Sequence, residues 1–355
     1  MQYLQSKHYI EHELEKILNK KIIITMDHVK NIKFDYFKYD PEFNIIKLFE
    51  KYGYVFTNEI CITLINKDAF MISDFSDDKK TDEICKLAVQ QKGSALRYVP
   101  EDKKTDEICE IAVQQNGHAL KYVPDDKKTN KICKIAVGQY GCALKYIPKN
   151  KKTDKICRTA VKQTGYALEY VPEDKKTNKI CRIAVKQHGN ALEYVPEDKQ
   201  TNEICQIAIK QDAYALAYVL EDKQTDEICE IAVQRDGCVL LYVSEDKKTD
   251  KICWIAVEQN RYALKYVPED KKTDKICRIA VQQDGCLLEY VSENKKTDEL
   301  CKIAVYQNGF ALKYVPENKK TDELCMEAVR ACEYALIFVP ENKKYLFIKN
   351  ENHNI

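Results

Sequence analysis

Twelve of the sixteen cysteines stand 24 residues apart, from Cys61 to Cys325, without one slip in the spacing. A fixed period of this length is typical of tandem structural repeats and not of a disulfide framework. The unit at 105–128 reads TDEICEIAVQQNGHALKYVPDDKK, and such units occur eleven times over 81–344 without insertion. An eroded copy, TNEICITLINKDAFMISDFSDDKK, precedes them at 57–80. The fold therefore has to arise by repetition of one short unit.

Each unit predicts two helices joined by a tight turn. Thr105 can cap a helix whose first turn carries Asp106 and Glu107, where carboxylates suit the helix dipole. Apolar residues then recur at i, i+3 and i+4 for about three turns, and Gly117 predicts a stop in the left-handed conformation. A shorter apolar set ends at Pro124, which predicts a second helix of about two turns.

One such unit is too short to bury a core alone, so its neighbours have to supply the missing burial. We therefore predict an all-α fold, an α-solenoid of about twelve 24-residue helix-turn-helix repeats. Residues 1–56 and 345–355 fall outside the period. They are expected to form a small, mainly helical N-terminal capping region and a C-terminal tail or cap.

The phrase A-V-x-Q-x-G-x-A-L-x-Y, from Ala112 to Tyr122 here, resembles a short helical repeat classed as a domain of unknown function. That repeat is abundant in protists and in mimivirus-type giant viruses of amoebae, and the resemblance covers 81–344 as 24-residue units paired as 48. It implies a helical repeat and no particular activity. The chain departs from it by Ala213, Arg261 and Glu333 in place of glycine, and by Pro or Ser after Tyr-Val. These departures leave the turn in three copies and the length of the second helix open.

The composition bears on the partners and the cellular compartment of the chain. Its 57 basic and 56 acidic residues nearly cancel, so the net charge does not indicate nucleic acid as a partner. The sequence has neither a run of about 18–20 apolar residues nor the apolar core of a secretory signal, so we expect no membrane. Richness in Lys, Asn, Ile and Tyr resembles the AT-rich coding of giant viruses and suggests such an origin. We expect a monomer in the cytoplasm of the producing or host cell, with a place in the virion as a further option.

The cysteine column is best explained by packing. Equivalent Cα atoms of adjacent copies should lie roughly 9–10 Å apart, beyond the roughly 7 Å at which a disulfide closes. There is no CxxC pair, and His118 and His188 are the only histidines of the repeats, so we expect neither a metal nor a cofactor. Free thiols in such number indicate a reducing, intracellular compartment. Cysteines outside the column should be more exposed, and these are Cys142, Cys238, Cys286 and Cys332.

One enzyme motif occurs, at the N-terminus, where His8 and His12 with Glu11 spell H-x-x-E-H of inverted zinc proteases. Because it lies next to a terminus and before any core, we interpret it as a solvated helix face and expect no enzyme.

Two further columns of repeated residues are best explained by structural roles. Glutamines such as Gln115 and Gln139 should bond the backbone carbonyls freed at the helix end or the neighbouring glutamine. Lysines such as Lys103 and Lys127 could form a basic ridge, which neighbouring aspartates such as Asp102 would neutralise.

The copies differ most at the residue that opens the second helix, and in a repeat array such positions can individualise a binding face. Aromatic residues recur there every 48 residues, and charges of both signs lie three residues further on. The candidate partner-binding residues are Tyr166, Tyr214, Tyr262, Phe310, Tyr334, Lys121, Lys145, Glu169, Glu193, Lys265, Glu289 and Lys313. The other interpretation is that these aromatics fill gaps between helix layers.

Tyrosines among charges suit a protein or peptide partner, so the sequence predicts a non-enzymatic repeat scaffold for protein–protein interaction. The alternative is a single-stranded RNA-binding repeat protein, in which the aromatics would stack on bases and the lysines would contact phosphates. Near-zero net charge and acids at the same variable positions make nucleic acid the weaker of the two.

Overall fold

The computed structural model describes residues 57–348, and this part of the chain is helical without a β-strand. It divides into two compact units, residues 1–175 and 176–355, so the first unit is described from 57 and the second as far as 348. Within each unit the same three-part repeat follows itself without interruption. The prediction of an all-α repeat solenoid is confirmed. The capping region predicted at 1–56 lies outside the described residues.

Every repeat begins with a ten-residue α-helix. The first unit contains α1 Asn58–Lys67, α2 Asp82–Gln91, α3 Asp106–Gln115, α4 Asn130–Gln139 and α5 Asp154–Gln163. The second unit contains α6 Asn178–Gln187, α7 Asn202–Gln211, α8 Asp226–Arg235, α9 Asp250–Gln259, α10 Asp274–Gln283, α11 Asp298–Gln307, α12 Asp322–Ala331 and a final α13 Tyr345–Ile348.

The second helix of each repeat is a six-residue 3₁₀ helix, where the sequence predicts only a short helix. In the first unit these helices are Ala69–Asp74, Gly93–Tyr98, Gly117–Tyr122, Gly141–Tyr146 and Gly165–Tyr170. In the second unit they are Gly189–Tyr194, Ala213–Tyr218, Gly237–Tyr242, Arg261–Tyr266, Gly285–Tyr290, Gly309–Tyr314 and Glu333–Phe338. All have the same length, whether Pro, Ser or Leu follows Tyr-Val. A three-residue 3₁₀ turn or a plain turn then leads to the next repeat.

Helix starts follow the prediction. The side chain of Thr105 accepts a hydrogen bond from the backbone N–H of Ile108 at 3.2 Å, and Thr at the same place caps each of α1 to α12. Asp106 and Glu107 lie in the first turn of α3, where the exposed N–H groups favour negative charge.

The predicted left-handed stop at Gly117 is wrong. Helix α3 ends at Asn116, which is extended at φ −150 and ψ 111, and Gly117 starts the 3₁₀ helix without a left-handed φ. The Asn116 side chain accepts a hydrogen bond from the N–H of His118 at 3.0 Å, so the turn is closed by a side chain instead. Glycine leaves space for the next repeat, because a Cβ at Gly117 would lie 2.6 Å from the carbonyl oxygen of Ala136. The three copies without this glycine keep the same extended cap residue.

The core lies between the α-helices and the 3₁₀ helices of each unit. In the third repeat Ile108, Cys109, Ala112 and Val113 of α3 are buried with Ala119 and Leu120 of its 3₁₀ helix. Within each unit an α-helix packs on the next α-helix and on the preceding 3₁₀ helix. This nearest-neighbour packing leaves two outer surfaces, one on the α-helices and one on the 3₁₀ helices.

Candidate functional site

The predicted binding residues all lie on the outer surface of the 3₁₀ helices. They occupy the second and fifth places of those helices, and residues three apart in a 3₁₀ helix line up on one side. We call the side chains at these two places, which are exposed or half-buried, the 3₁₀ face. Ala119 and Leu120, at the third and fourth places of their helix, are fully buried. The core is therefore constant where the 3₁₀ face varies.

In the first unit the 3₁₀ face carries four of the predicted residues, all exposed, namely Lys121, Lys145, Tyr166 and Glu169. The amine of Lys121 lies 4.6 Å from the centre of the Tyr122 ring, and that of Lys145 lies 5.9 Å from the Tyr170 ring. A hydrogen bond with the Glu169 carboxylate raises the pKa of Tyr170 to about 12. Two lysine ammonium groups on this face thus lie near tyrosine rings.

In the second unit the other eight predicted residues lie on the 3₁₀ face. Tyr214, Tyr262 and Tyr334 are 44%, 48% and 78% exposed, whereas Phe310 is half-buried. The charged members are also exposed, and these are Glu193, Lys265, Glu289 and Lys313.

The aromatics are neither free anchors nor simple filler. The Tyr262 hydroxyl donates to Asp284 of the next repeat at 3.4 Å, and burial together with Asp236 raises the pKa of Tyr214. The Phe310 ring meets Phe338 edge to face, with ring centres 4.9 Å apart. Tyr214, Tyr262 and Phe310 therefore each touch the next repeat with one edge. Tyr214 and Tyr262 still present about half of their surface to solvent.

The cysteine column is buried, as predicted, and every cysteine of the described repeats is a free thiol. Burial raises the pKa of Cys109 to about 11, and its thiol donates to the carbonyl of Lys104 at 3.8 Å. A thiol of such high pKa is a poor nucleophile at neutral pH. The four cysteines outside the column are half-buried, which confirms their greater exposure.

The predicted bonds from the glutamine column to backbone carbonyls are present, and the same glutamines also accept bonds from glycine N–H groups, which was not predicted. Gln259 accepts a hydrogen bond from the N–H of Gly237 at 2.5 Å and donates to the carbonyl of Arg235 at 3.2 Å. The same N–H contact joins glycines and glutamines every 48 residues, at Gly93–Gln115, Gly141–Gln163, Gly189–Gln211 and Gly285–Gln307. The column is structural.

The lysine ladder is neutralised, although not by its flanking aspartates alone. Lys103 pairs with Asp82 at 3.1 Å, and Lys127 pairs with Asp106 at 3.4 Å. Each partner lies in the first turn of the helix of the same repeat. No free basic ridge runs along these four lysines, since Lys151 donates to a backbone carbonyl and Lys175 pairs with Asp154.

A second lysine column, at the last place of each repeat, was missed. Lys296 is 6% exposed, and its amine contacts Glu293 at 2.6 Å and the carbonyl of Tyr314 in the next repeat at 2.9 Å. Gln200 and Gln224 replace lysine in this column and donate to the equivalent carbonyls. The signal was present in the sequence, because each replacement keeps an N–H donor.

Charge pairs on the outer surface of the α-helices were also not predicted from the sequence. Along this surface, residues 21 apart pair with opposite charges, as in Lys86–Glu107, Lys131–Glu110, Arg182–Glu203, Lys251–Glu230 and Arg278–Glu299. At Lys134 and Lys155 the same two places carry like charges, and the Lys155 ammonium lowers the pKa of Lys134. This exception to the opposite-charge pairing can be read from the sequence when the copies are aligned and the charges at the two places are compared.

Within residues 57–348 no group of three His, Cys, Asp or Glu side chains could hold a metal ion. The H-x-x-E-H motif at His8 lies outside the described residues. The longest helices of the described chain have ten residues, too few for any of them to cross a membrane.

The comparisons with known proteins agree with the repeat geometry. No curated protein matches the chain at a significant level. A family model described as Domain of unknown function (DUF4116) matches residues 82–126, 105–150, 130–175, 153–198, 179–222, 225–270, 273–318 and 297–342. Each match spans nearly two repeats, and together they extend over most of residues 82–342. The chain therefore belongs to this family of helical repeats whose function is unknown.

Proposed function

We propose that the chain is a non-enzymatic repeat scaffold that holds a protein or peptide partner on its 3₁₀ face. The observation that carries this proposal is the contrast along one short helix. Its third and fourth residues are buried in nearly every copy and vary little. Its fifth residue is exposed and its second is exposed or half-buried, and both differ from copy to copy. The fold requires the residues at the third and fourth places, but it does not require the sequence variation at the second and fifth places.

The chemistry of the 3₁₀ face favours a protein partner. Tyrosine presents a large, rigid, amphipathic surface, and such residues are enriched where proteins bind one another. The adjacent charges have both signs, with Glu193 and Glu289 beside Lys265 and Lys313. Mixed charge suits the polar rim of a protein interface better than a phosphate backbone.

The absence of an enzymatic role, the monomeric state, the reducing compartment and a viral setting are parts of the same proposal. The free thiols support the compartment, because sixteen unpaired cysteines would be vulnerable to oxidation elsewhere. Their raised pKa values argue against nucleophilic catalysis by them.

The test compares capture of partners from producing cells by the full chain and by two variants. The first variant combines Tyr214→Ser, Tyr262→Ser and Tyr334→Ser on the 3₁₀ face. The control is Tyr306→Ser, since Tyr306 is 58% exposed but lies on α11. We expect the triple variant to lose a protein that the wild type and the control both capture.

Melting temperature and nuclease treatment complete the comparison. The triple variant should melt a few degrees lower, because Tyr214 and Tyr262 each touch the next repeat. Equal capture by all three proteins would contradict the proposal. Capture that disappears after ribonuclease treatment would favour the RNA-binding alternative.

A further inference from the structure

The fourth repeat, residues 129–152, differs from the rest in charge. It contains six lysines and no aspartate or glutamate, and it is the only one of the twelve copies without an acid. Even the first turn of α4 carries Asn130 where many copies have Asp. The next helix, α5, continues the positive charge with Lys155, Arg158 and Lys162.

Several of these cations are uncompensated on the outer surface of the α-helices, although Lys131 pairs with Glu110 of α3. In residues 57–348, Lys134, Lys155 and Lys162 form no ion pair, whereas five pairs elsewhere join the places equivalent to Lys134 and Lys155 by opposite charges. The neighbouring Lys155 ammonium lowers the pKa of Lys134. A like-charge pair on adjacent helices destabilises the fold. Its presence here therefore points to a role outside the fold.

A groove lies between α4 and α5 at this point. Its lining consists of Asn130, Lys131, Lys134, Ile135 and Thr159. The Thr159 hydroxyl donates to the carbonyl of Lys155 at 2.8 Å, so it is already satisfied within its own helix. Because that hydroxyl is already used, Ile135 and Thr159 give the floor between the lysines a partly apolar surface.

Gly138 widens the approach to this surface. It is exposed in the last turn of α4, and a Cβ there would meet nothing within 4 Å. The other eleven copies carry a larger side chain at this place, such as Gln114 or Lys162. Glycine weakens a helix, and no contact within the fold requires it here.

We propose that this groove between α4 and α5 binds an acidic peptide segment that carries a phosphorylated side chain. A phosphate dianion accepts several charge-assisted hydrogen bonds and so suits clustered lysines. The apolar floor at Ile135 suits a neighbouring aliphatic side chain of the same peptide, which a free phosphate would lack. On the adjoining α3, Glu107 and Glu110 pair with Lys86 and Lys131, so the positive patch does not continue there and fits a short segment better than an RNA strand.

The experiment uses the full chain and fluorescence anisotropy of a labelled peptide, in which leucine and phosphoserine are flanked by two glutamates on each side. Lys134→Glu would create the opposite-charge pairing seen at Lys131–Glu110 and Lys251–Glu230, so it should raise the melting temperature while weakening binding roughly tenfold. Gly138→Gln should also stabilise the chain and weaken binding, because it fills the approach. Loss of binding with gain of stability separates a site from a structural role.

Lys302→Glu is the matched control, with the same change of charge on exposed α11 in the second unit. We expect it to bind the peptide as the wild type does, and we expect the same of the triple tyrosine variant of the 3₁₀ face. Unchanged binding by Lys134→Glu would overturn the inference. Equal or tighter binding of tripolyphosphate or of a short uridine oligonucleotide would overturn the assignment to a peptide.

Discussion

Glycine has two opposite roles in this chain. At Gly237 a Cβ would lie 2.1 Å from the carbonyl oxygen of Ala256, so the glycine lets two repeats approach. At Gly138 the same atom would point into open space. Residue type alone does not reveal this difference, because both glycines stand near a helix end.

This difference gives a matched pair of substitutions. Gly237→Ala should lower the free energy of unfolding by about 1–3 kcal/mol, because a backbone carbonyl has to move. Gly138→Ala should raise it by about 0.5–1 kcal/mol, since alanine favours the helix. Urea denaturation followed by circular dichroism measures both. Ala213 occupies the place equivalent to Gly237, so we expect a weaker fold and not its loss.

The thiols offer a second prediction at this scale. At pH 8 a thiol reagent should modify no more than the four half-buried cysteines outside the column, and the twelve others only after unfolding. Because burial raises the pKa of Cys109 from 9.0 to about 11, this thiol favours the folded state below pH 9. That contribution should diminish as the pH rises from 9 towards 11. Rapid modification of twelve or more thiols in the folded chain would contradict the burial.

At the scale of the element, the joint between two repeats depends on polar contacts as well as on burial. Gln259 uses both ends of its amide on the preceding repeat, through Gly237 and Arg235. Gln234 lies on α8 with an exposed side chain and serves as its control.

Gln259→Ala should lower the free energy of unfolding by about 1–3 kcal/mol, because it leaves a backbone N–H and a carbonyl without their partner. Gln234→Ala should change it by less than about 0.5 kcal/mol. Thermal melting of the two variants beside the wild type measures the difference. Equal effects would mean that the glutamine column contributes no more than an ordinary surface residue.

The sequence was sufficient for the caps, the buried cysteines and the glutamine contacts, because each follows from local chemistry repeated at a fixed interval. It was not sufficient for the extended residue Asn116 or for the 3₁₀ form of the second helix. Gly117 looks like an ordinary helix stop until the next repeat is in place, and the need for space beside Ala136 is a tertiary effect. The predicted binding residues were placed together on one surface, but their contacts with the next repeat could not be foreseen.

At the scale of the whole molecule, stability should grow with the number of copies. Each α-helix packs mainly on its sequence neighbours, so a fragment gains one joint with every added repeat. We expect residues 225–272, with two repeats, to be largely unfolded, and residues 225–344, with five, to melt cooperatively. Circular dichroism of the two fragments during heating tests this. A stable two-repeat fragment would contradict the nearest-neighbour account.

The polar joints have a consequence for how such a chain can change its length. Lys296 reaches 18 residues forward, and Gln259 reaches 22 residues back to Gly237, so each of these bonds crosses one boundary between copies. Removal or duplication of a whole copy by recombination would join surfaces that already fit each other. Because the glycine–glutamine bonds recur every 48 residues, exchange of two copies at a time would preserve them all. The same joints that hold the array together would therefore let selection adjust how many copies, and how many variable faces, a descendant carries.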